Sequence, residues 1–167
     1  FGFQTNASNG EDSANFYDNV LVTVSGGDNG GGGPGGELTT NGDFETGDFT
    51  GWTNFCDNGA ASCTISTDNP NGGTFAARLE QPTPAQNVVI KQERIAAGEV
   101  ATGDTVDVSF FLRGAVGVGG VVFLEVFTEE TGGNVVLEGI FGPLFPTNDW
   151  VQVSESVTLT GNPGDGI

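Results

Sequence analysis

The sequence contains no histidine and only four basic residues, set against 22 acidic ones. Without an imidazole, its serines lack the usual base that activates a hydroxyl nucleophile. A glycosidase would need two carboxylates across a cleft, but with 22 acids the composition singles out no pair. The formal charge of −18 repels phosphate backbones. We therefore predict a protein that is not an enzyme and does not bind nucleic acid.

Long hydrophobic runs are also missing. No stretch approaches the roughly 20 apolar residues that cross a bilayer, and no charged-then-apolar leader opens the chain. The negative charge disfavours anionic lipid surfaces as well. We expect no membrane insertion, and either the chain is a mature form or its export signal lies outside this segment.

Cysteine is scarce, and the two that occur are close together in CDNGAASC, at Cys56 and Cys63. With no histidine to share a metal ion, two thiols at this spacing favour a disulfide over half of a zinc site. A disulfide points to an extracellular or cell-surface protein. The alternative is a pair of unpaired thiols in a cytosolic protein.

The surplus of carboxylates has two interpretations. Calcium is a hard cation that takes oxygen ligands, and an acidic chain suits it. The other interpretation is a solvated acidic surface of a marine or salt-adapted protein.

Strand-forming patterns fill most of the chain, whereas helical periodicity does not extend beyond about two turns. In TVDVSFFLRG, for example, Val106, Val108, Phe110 and Leu112 share one face, and 13 phenylalanines supply a core. Many short runs of this kind, separated by turn residues, predict an antiparallel β-sandwich or jelly roll. At 167 residues, one domain with a real core is expected.

The segment GGDNGGGGPGG, residues 26–36, has eight glycines in eleven positions and predicts a flexible linker. It divides a short piece, residues 1–25, from a body, residues 37–167. The short piece contains the strong strand pattern NFYDNVLVTV, residues 15–24. Since a lone strand does not fold by itself, this piece must pair with other strands.

Four motifs carry a resemblance to a known family. They are ELTTNGDFETGDFTGW at residues 37–52, GDTVDVSFFLRG at 103–114, NDWVQVSESVTL at 148–159 and YDNVLV at 17–22. Together they resemble the jelly-roll carbohydrate-binding modules of families 4, 9, 16 and 22. Those modules begin with the first motif and end with the last one, so the order here is rotated.

The rotated order predicts that residues 1–25 are the terminal strands of a jelly roll, given either to a neighbouring unit or to the same unit. Joining Ile167 to Phe1 would restore a continuous hairpin before the last strand. The body could belong to a neighbouring unit of a tandem array, to a separate subunit that exchanges strands, or to the same chain as a circular permutation. Neighbouring copies of the module are therefore expected partners.

The resemblance also implies a structural calcium ion. In the related modules the ion lies where the opening F-E segment, a loop before the third strand and the closing D-N-V aspartate converge. Here the implied ligands are the Asp43 carbonyl, the Glu45 carboxylate, a carbonyl at Gly73 or Thr74, and Asp18. Such an ion would join the terminal strands. The alternative is that Glu45 and Asp18 are ordinary turn and capping residues.

A glycan-binding face requires exposed aromatic rings and a few polar groups. The strand faces opposite the apolar stripes provide such a mixed surface, formed by Lys91, Glu93, Phe111, Arg113, Phe123, Glu125 and Phe127. The alternative is that these phenylalanines cover a second layer of the sandwich or form contacts between subunits.

Two functions follow. The first is a non-catalytic extracellular structural or adhesive repeat that assembles head to tail into a surface filament or a multi-repeat protein. The second is a carbohydrate-binding module that recognises a polysaccharide.

Overall fold

The computed structural model describes residues 1–6, 13–26, 36–56, 60–82, 88–117 and 119–167. Within these ranges the chain forms β-strands and no helix, so none of the described residues belongs to a helix that could cross a membrane. The strands are β1 Gly2–Asn6, β2 Ser13–Ser25, β3 Thr53–Phe55, β4 Ser62–Ser66, β5 Ala76–Gln81, β6 Val88–Lys91, β7 Thr105–Ala115, β8 Val121–Glu129, β9 Val135–Leu144 and β10 Val151–Thr158.

The ten strands form two five-stranded sheets. Sheet A has the order β3-β6-β1-β8-β9, and sheet B has the order β10-β7-β2-β5-β4. The pairs within both sheets are antiparallel. The predicted antiparallel β-sandwich is confirmed.

The first 25 residues supply a central strand to each sheet. In sheet A, β1 lies between β6 and β8, and in sheet B, β2 lies between β7 and β5 of the same chain. Val22 accepts a backbone hydrogen bond from Leu38, so the segments on either side of the glycine-rich region are neighbours. Most of the predicted linker, residues 27–35, lies outside the described residues.

The core follows the alternation of the strands. Val106, Val108, Phe110 and Leu112 are buried, as their spacing predicted. Aromatic rings from both sheets meet there: the ring centroid of Phe3 in β1 lies 4.6 Å from that of Phe110 in β7. Burial of such large apolar side chains is the main stabilising contribution to a sandwich of this size.

A disulfide joins Cys56 and Cys63, whose Cα atoms are 5.6 Å apart. Cys56 directly follows β3, at one edge of sheet A, and Cys63 lies in β4, at one edge of sheet B. The bridge therefore ties the two sheets at one side of the sandwich. The predicted pairing is confirmed, and the alternative of two unpaired thiols is wrong.

We expect replacement of both cysteines by serine to lower the free energy of unfolding by about 2 to 3 kcal/mol, because a short loop loses a constraint on its unfolded state. Urea denaturation of the double variant measures the change. Reduction of the wild-type chain should reproduce it, and an unchanged midpoint on reduction would contradict a stabilising role.

Candidate functional site

A β-bulge in β2 places the first predicted metal ligand. Asp18 pairs with Phe111, but Leu21 pairs with Ser109, so β2 contains one extra residue between these positions. Asn19 has a φ of 48°, a left-handed conformation that asparagine tolerates. Within the bulge, the amide of Val20 donates a hydrogen bond to the carbonyl oxygen of Gly42. The bulge therefore brings the segment that follows the linker against β2.

The Asp18 carboxylate is fully buried and anchors the loop before β5. Its Oδ2 accepts hydrogen bonds from the amides of Asn71 at 2.8 Å and Gly72 at 3.1 Å, and its Oδ1 accepts one from Asn19 at 2.7 Å. Burial raises the pKa of Asp18, these hydrogen bonds oppose the rise, and the charge of Glu45 adds to it. The repulsion from the Glu45 charge is the smallest of these effects.

Glu45 anchors the next part of the same loop. Its Oε1 accepts hydrogen bonds from the amides of Thr74 at 2.8 Å and Phe75 at 2.7 Å. Gly73 lies between the two carboxylate anchors with a φ of 57°, and a Cβ added there would lie 2.4 Å from the carboxyl carbon of Glu45. Only glycine leaves room for the Glu45 carboxylate at this place.

The five predicted metal-site residues therefore come from three remote segments that meet at one loop. Asp43 belongs to this group because its Oδ1 accepts a hydrogen bond from the amide of Glu45 at 3.3 Å. Both carboxylates also have the capping contacts that the alternative interpretation predicts. The described residues contain no group of three or more histidine, cysteine or acidic side chains that could hold a metal. A cation here would rely on two carboxylates and on backbone carbonyl oxygens, a donor set that suits calcium.

The outer face of sheet A is the second candidate site. Residues directly opposite each other in paired strands lie on the same face. The register of the sheet defines one row across its five strands, formed by Thr53, Lys91, Gly2, Glu125 and Ile140. Gly2 is at the centre, where a Cβ would lie 2.8 Å from the Cβ of Lys91. Lys91 and Glu125 thus flank a strand position without a side chain, about 10 Å apart from backbone to backbone.

Aromatic rings surround this row. The Nζ atom of Lys91 lies 5.1 Å from the ring centroid of Phe55 and 5.8 Å from that of Phe127, and it forms an ion pair with Glu93. Phe55 is 46% exposed. The face therefore combines rings that can stack on a sugar with charged groups that can bind hydroxyls.

Two of the predicted ligand-binding residues do not belong to this face. Phe111 and Arg113 lie in β7, on the outer face of sheet B, whereas Lys91, Glu125 and Phe127 lie in sheet A. The single mixed surface expected from the sequence is thus two opposite faces of the sandwich. The physical reason is that alternation along a strand distinguishes inside from outside, but it does not identify the sheet to which a strand belongs.

Arg113 is already engaged within the protein. Its guanidinium lies 4.0 Å from the ring centroid of Phe16 and 5.3 Å from that of Trp150, and its side chain is only 12% exposed. It also donates a hydrogen bond to Asp68. Through these contacts Arg113 packs the segments around Asp68 and Trp150 against the outer face of sheet B.

Sequence reasoning missed Phe55. It lies in β3, a strand of only three residues that shows no alternation, so its pattern gave no signal.

One comparison bears on this geometry. The family model described as a carbohydrate binding domain (CBM 4/9) matches residues 36–166. No curated protein and no solved structure matches the chain. The matched residues include β3, β6, β8 and β9 of the sheet A face, whereas β1 and β2 precede the match.

Proposed function

This chain belongs to the carbohydrate binding domain family, and on that premise we propose that it binds a polysaccharide through the outer face of sheet A. Domains of this family are non-catalytic binding modules. The observation that supports this face is the position of Lys91 between Phe55 and Phe127, in the same row as Glu125. Exposed rings stack on pyranose faces, and the charged groups orient the hydroxyls.

Binding to a panel of soluble and insoluble polysaccharides tests this proposal. We expect Phe127→Ala to raise the Kd for the bound polysaccharide roughly tenfold, because a stacked ring contributes about 1.5 kcal/mol to the free energy of binding. Phe55→Ala should have a similar effect. Phe111→Ala is the matched control, since it removes the same side chain from the opposite sheet. Loss of binding in the control alone, or no binding to any glycan, would contradict the proposal.

A calcium ion in the Asp18 and Glu45 site is a further part of the proposal. The convergence of Asp43, Gly73 and Thr74 on these two carboxylates supports it. Bound there, the ion would neutralise the repulsion between the carboxylates and join β2 to the loop before β5. Its role would be structural.

An extracellular or cell-surface location completes this part of the proposal. The disulfide between Cys56 and Cys63 supports it, because such bonds persist in oxidising compartments. We expect neither nucleic acid nor membrane insertion among the interactions of this acidic chain.

A second candidate function is head-to-tail assembly of copies into a filament or multi-repeat surface protein. The observation that favours it is that residues 1–25 supply a central strand to each sheet although the family match starts only at residue 36. Strands that can complete a sandwich from outside its body can do so in a neighbouring copy. Addition of a peptide of residues 1–25 to a chain that lacks them tests this candidate.

A further inference from the structure

The β10 edge of sheet B differs from the other three sheet edges. Strand β10 is the last strand in its sheet, and its eight residues pair with β7 in one continuous register. In contrast, β9 contains Pro143 and two register shifts, β3 has three residues, and β4 carries the disulfide. A long, regular edge strand exposes unpaired backbone groups to which another strand can add.

Glu155 occupies the middle of this edge on its inner side. It is opposite Val108, which is buried, and its neighbours on the same side are Val153 and Val157. Glu155 is half-buried, and none of the four ion pairs among the described residues includes it. A charge that points inward from an edge strand is a known obstacle to strand addition, because an added strand would bury it.

The sequence around Glu155 is palindromic. Residues 153–157 read Val-Ser-Glu-Ser-Val in both directions. If a second copy of β10 paired with it in antiparallel register about Glu155, Ser154 would be opposite Ser156 and Val153 opposite Val157. The one unfavourable pair would be Glu155 opposite Glu155, because like charges directly opposite each other destabilise a sheet.

We propose that β10 is a self-complementary pairing edge for a second copy of this chain, and that Glu155 keeps it unpaired. The proposal depends neither on the glycan-binding face of sheet A nor on exchange of residues 1–25. When the charge at position 155 is neutralised, or faces an opposite charge, the β10 strands of two copies pair. The B sheets of the two copies then form one continuous sheet.

Sedimentation equilibrium of charge variants tests the proposal. Neither wild type nor Glu155→Lys alone should form a dimer through β10, since each pairing would place two like charges opposite each other. Their equimolar mixture should form a species of twice the monomer mass, because Glu155 then faces a lysine. Glu155→Gln should dimerise by itself. Glu99→Lys, at an exposed turn residue outside β10, is the matched control and should not associate with wild type.

Far-UV circular dichroism and thermal melting of each variant establish that it is folded. A mixture of folded wild type and folded Glu155→Lys that stays monomeric would overturn the proposal. Equal association of the Glu99→Lys control with wild type would overturn it as well, because the attraction would then come from net charge and not from the edge. If Glu155→Gln fails to fold, the mixing experiment alone decides.

Discussion

Deletion of residues 1–25 will leave residues 26–167 without a cooperative unfolding transition. The deletion removes β1 from the centre of sheet A and β2 from the centre of sheet B. It also removes Phe3 and Tyr17, two fully buried rings whose centroids are 4.9 Å apart. Loss of one large buried aromatic side chain costs about 3 to 5 kcal/mol, which approaches the whole stability of a typical domain. Urea denaturation followed by tryptophan fluorescence measures the outcome, and a full-length-like transition in the deleted chain would contradict it.

A peptide of residues 1–25, added to the deleted chain, distinguishes the two proposed functions. If strands can be donated between copies, the peptide should restore a cooperative transition in trans. A peptide in which Phe3 and Tyr17 are alanine is the matched control and should not restore it. Failure of the unmodified peptide would contradict head-to-tail assembly by strand exchange, whereas polysaccharide binding by the intact chain would be unaffected.

The strands of this fold were predictable because each half-buried strand carries a period-two pattern. Thus the alternate residues Val106, Val108, Phe110 and Leu112 of β7 were correctly assigned to the inside. The pairing order was not predictable from such patterns, since an outward-facing residue looks alike in either sheet. This is why Phe111 and Phe127 were assigned to one surface although they lie on opposite faces of the sandwich.

The metal-site residues were predicted to lie together from the family resemblance and not from strand patterns. Asp18 and Glu45 are far apart in sequence, and a strand pattern around Asp18 does not reveal which loop it meets, so only the resemblance to the family motifs connected them. The structure adds the contacts that explain the residue types: Gly73 is required by the nearby Glu45 carboxylate, and the bulge at Asn19 turns the chain toward Gly42. Bulges and left-handed residues of this kind have no reliable signal in a single sequence.

Calcium is expected to raise the melting temperature of the wild-type chain and to leave that of Glu45→Gln unchanged. At free calcium about 100 times the Kd, binding adds about 2.7 kcal/mol to the free energy of unfolding, which corresponds to roughly 5 to 10 °C for a chain of this size. Glutamine keeps an oxygen that can accept the hydrogen bonds from Thr74 and Phe75, but it lacks the second anionic oxygen. The variant therefore separates the capping role of Glu45 from metal binding. Glu99→Gln should respond to calcium like the wild type.

The pH dependence of this calcium effect follows from Asp18. Burial raises its pKa in the folded state, so its contribution to stability is complete below the unfolded-state pKa and is lost as the pH rises through the folded-state pKa. When a chelator removes calcium, the full loss of stability is observed, because the ionised Asp18 carboxylate is buried near Glu45. Calcium offsets it, since the cation favours the ionised form. The difference in melting temperature with and without calcium should therefore be largest at neutral pH and vanish in acid, where Asp18 is protonated. A difference that is constant across this range, or equal in Glu45→Gln, would place the ion elsewhere.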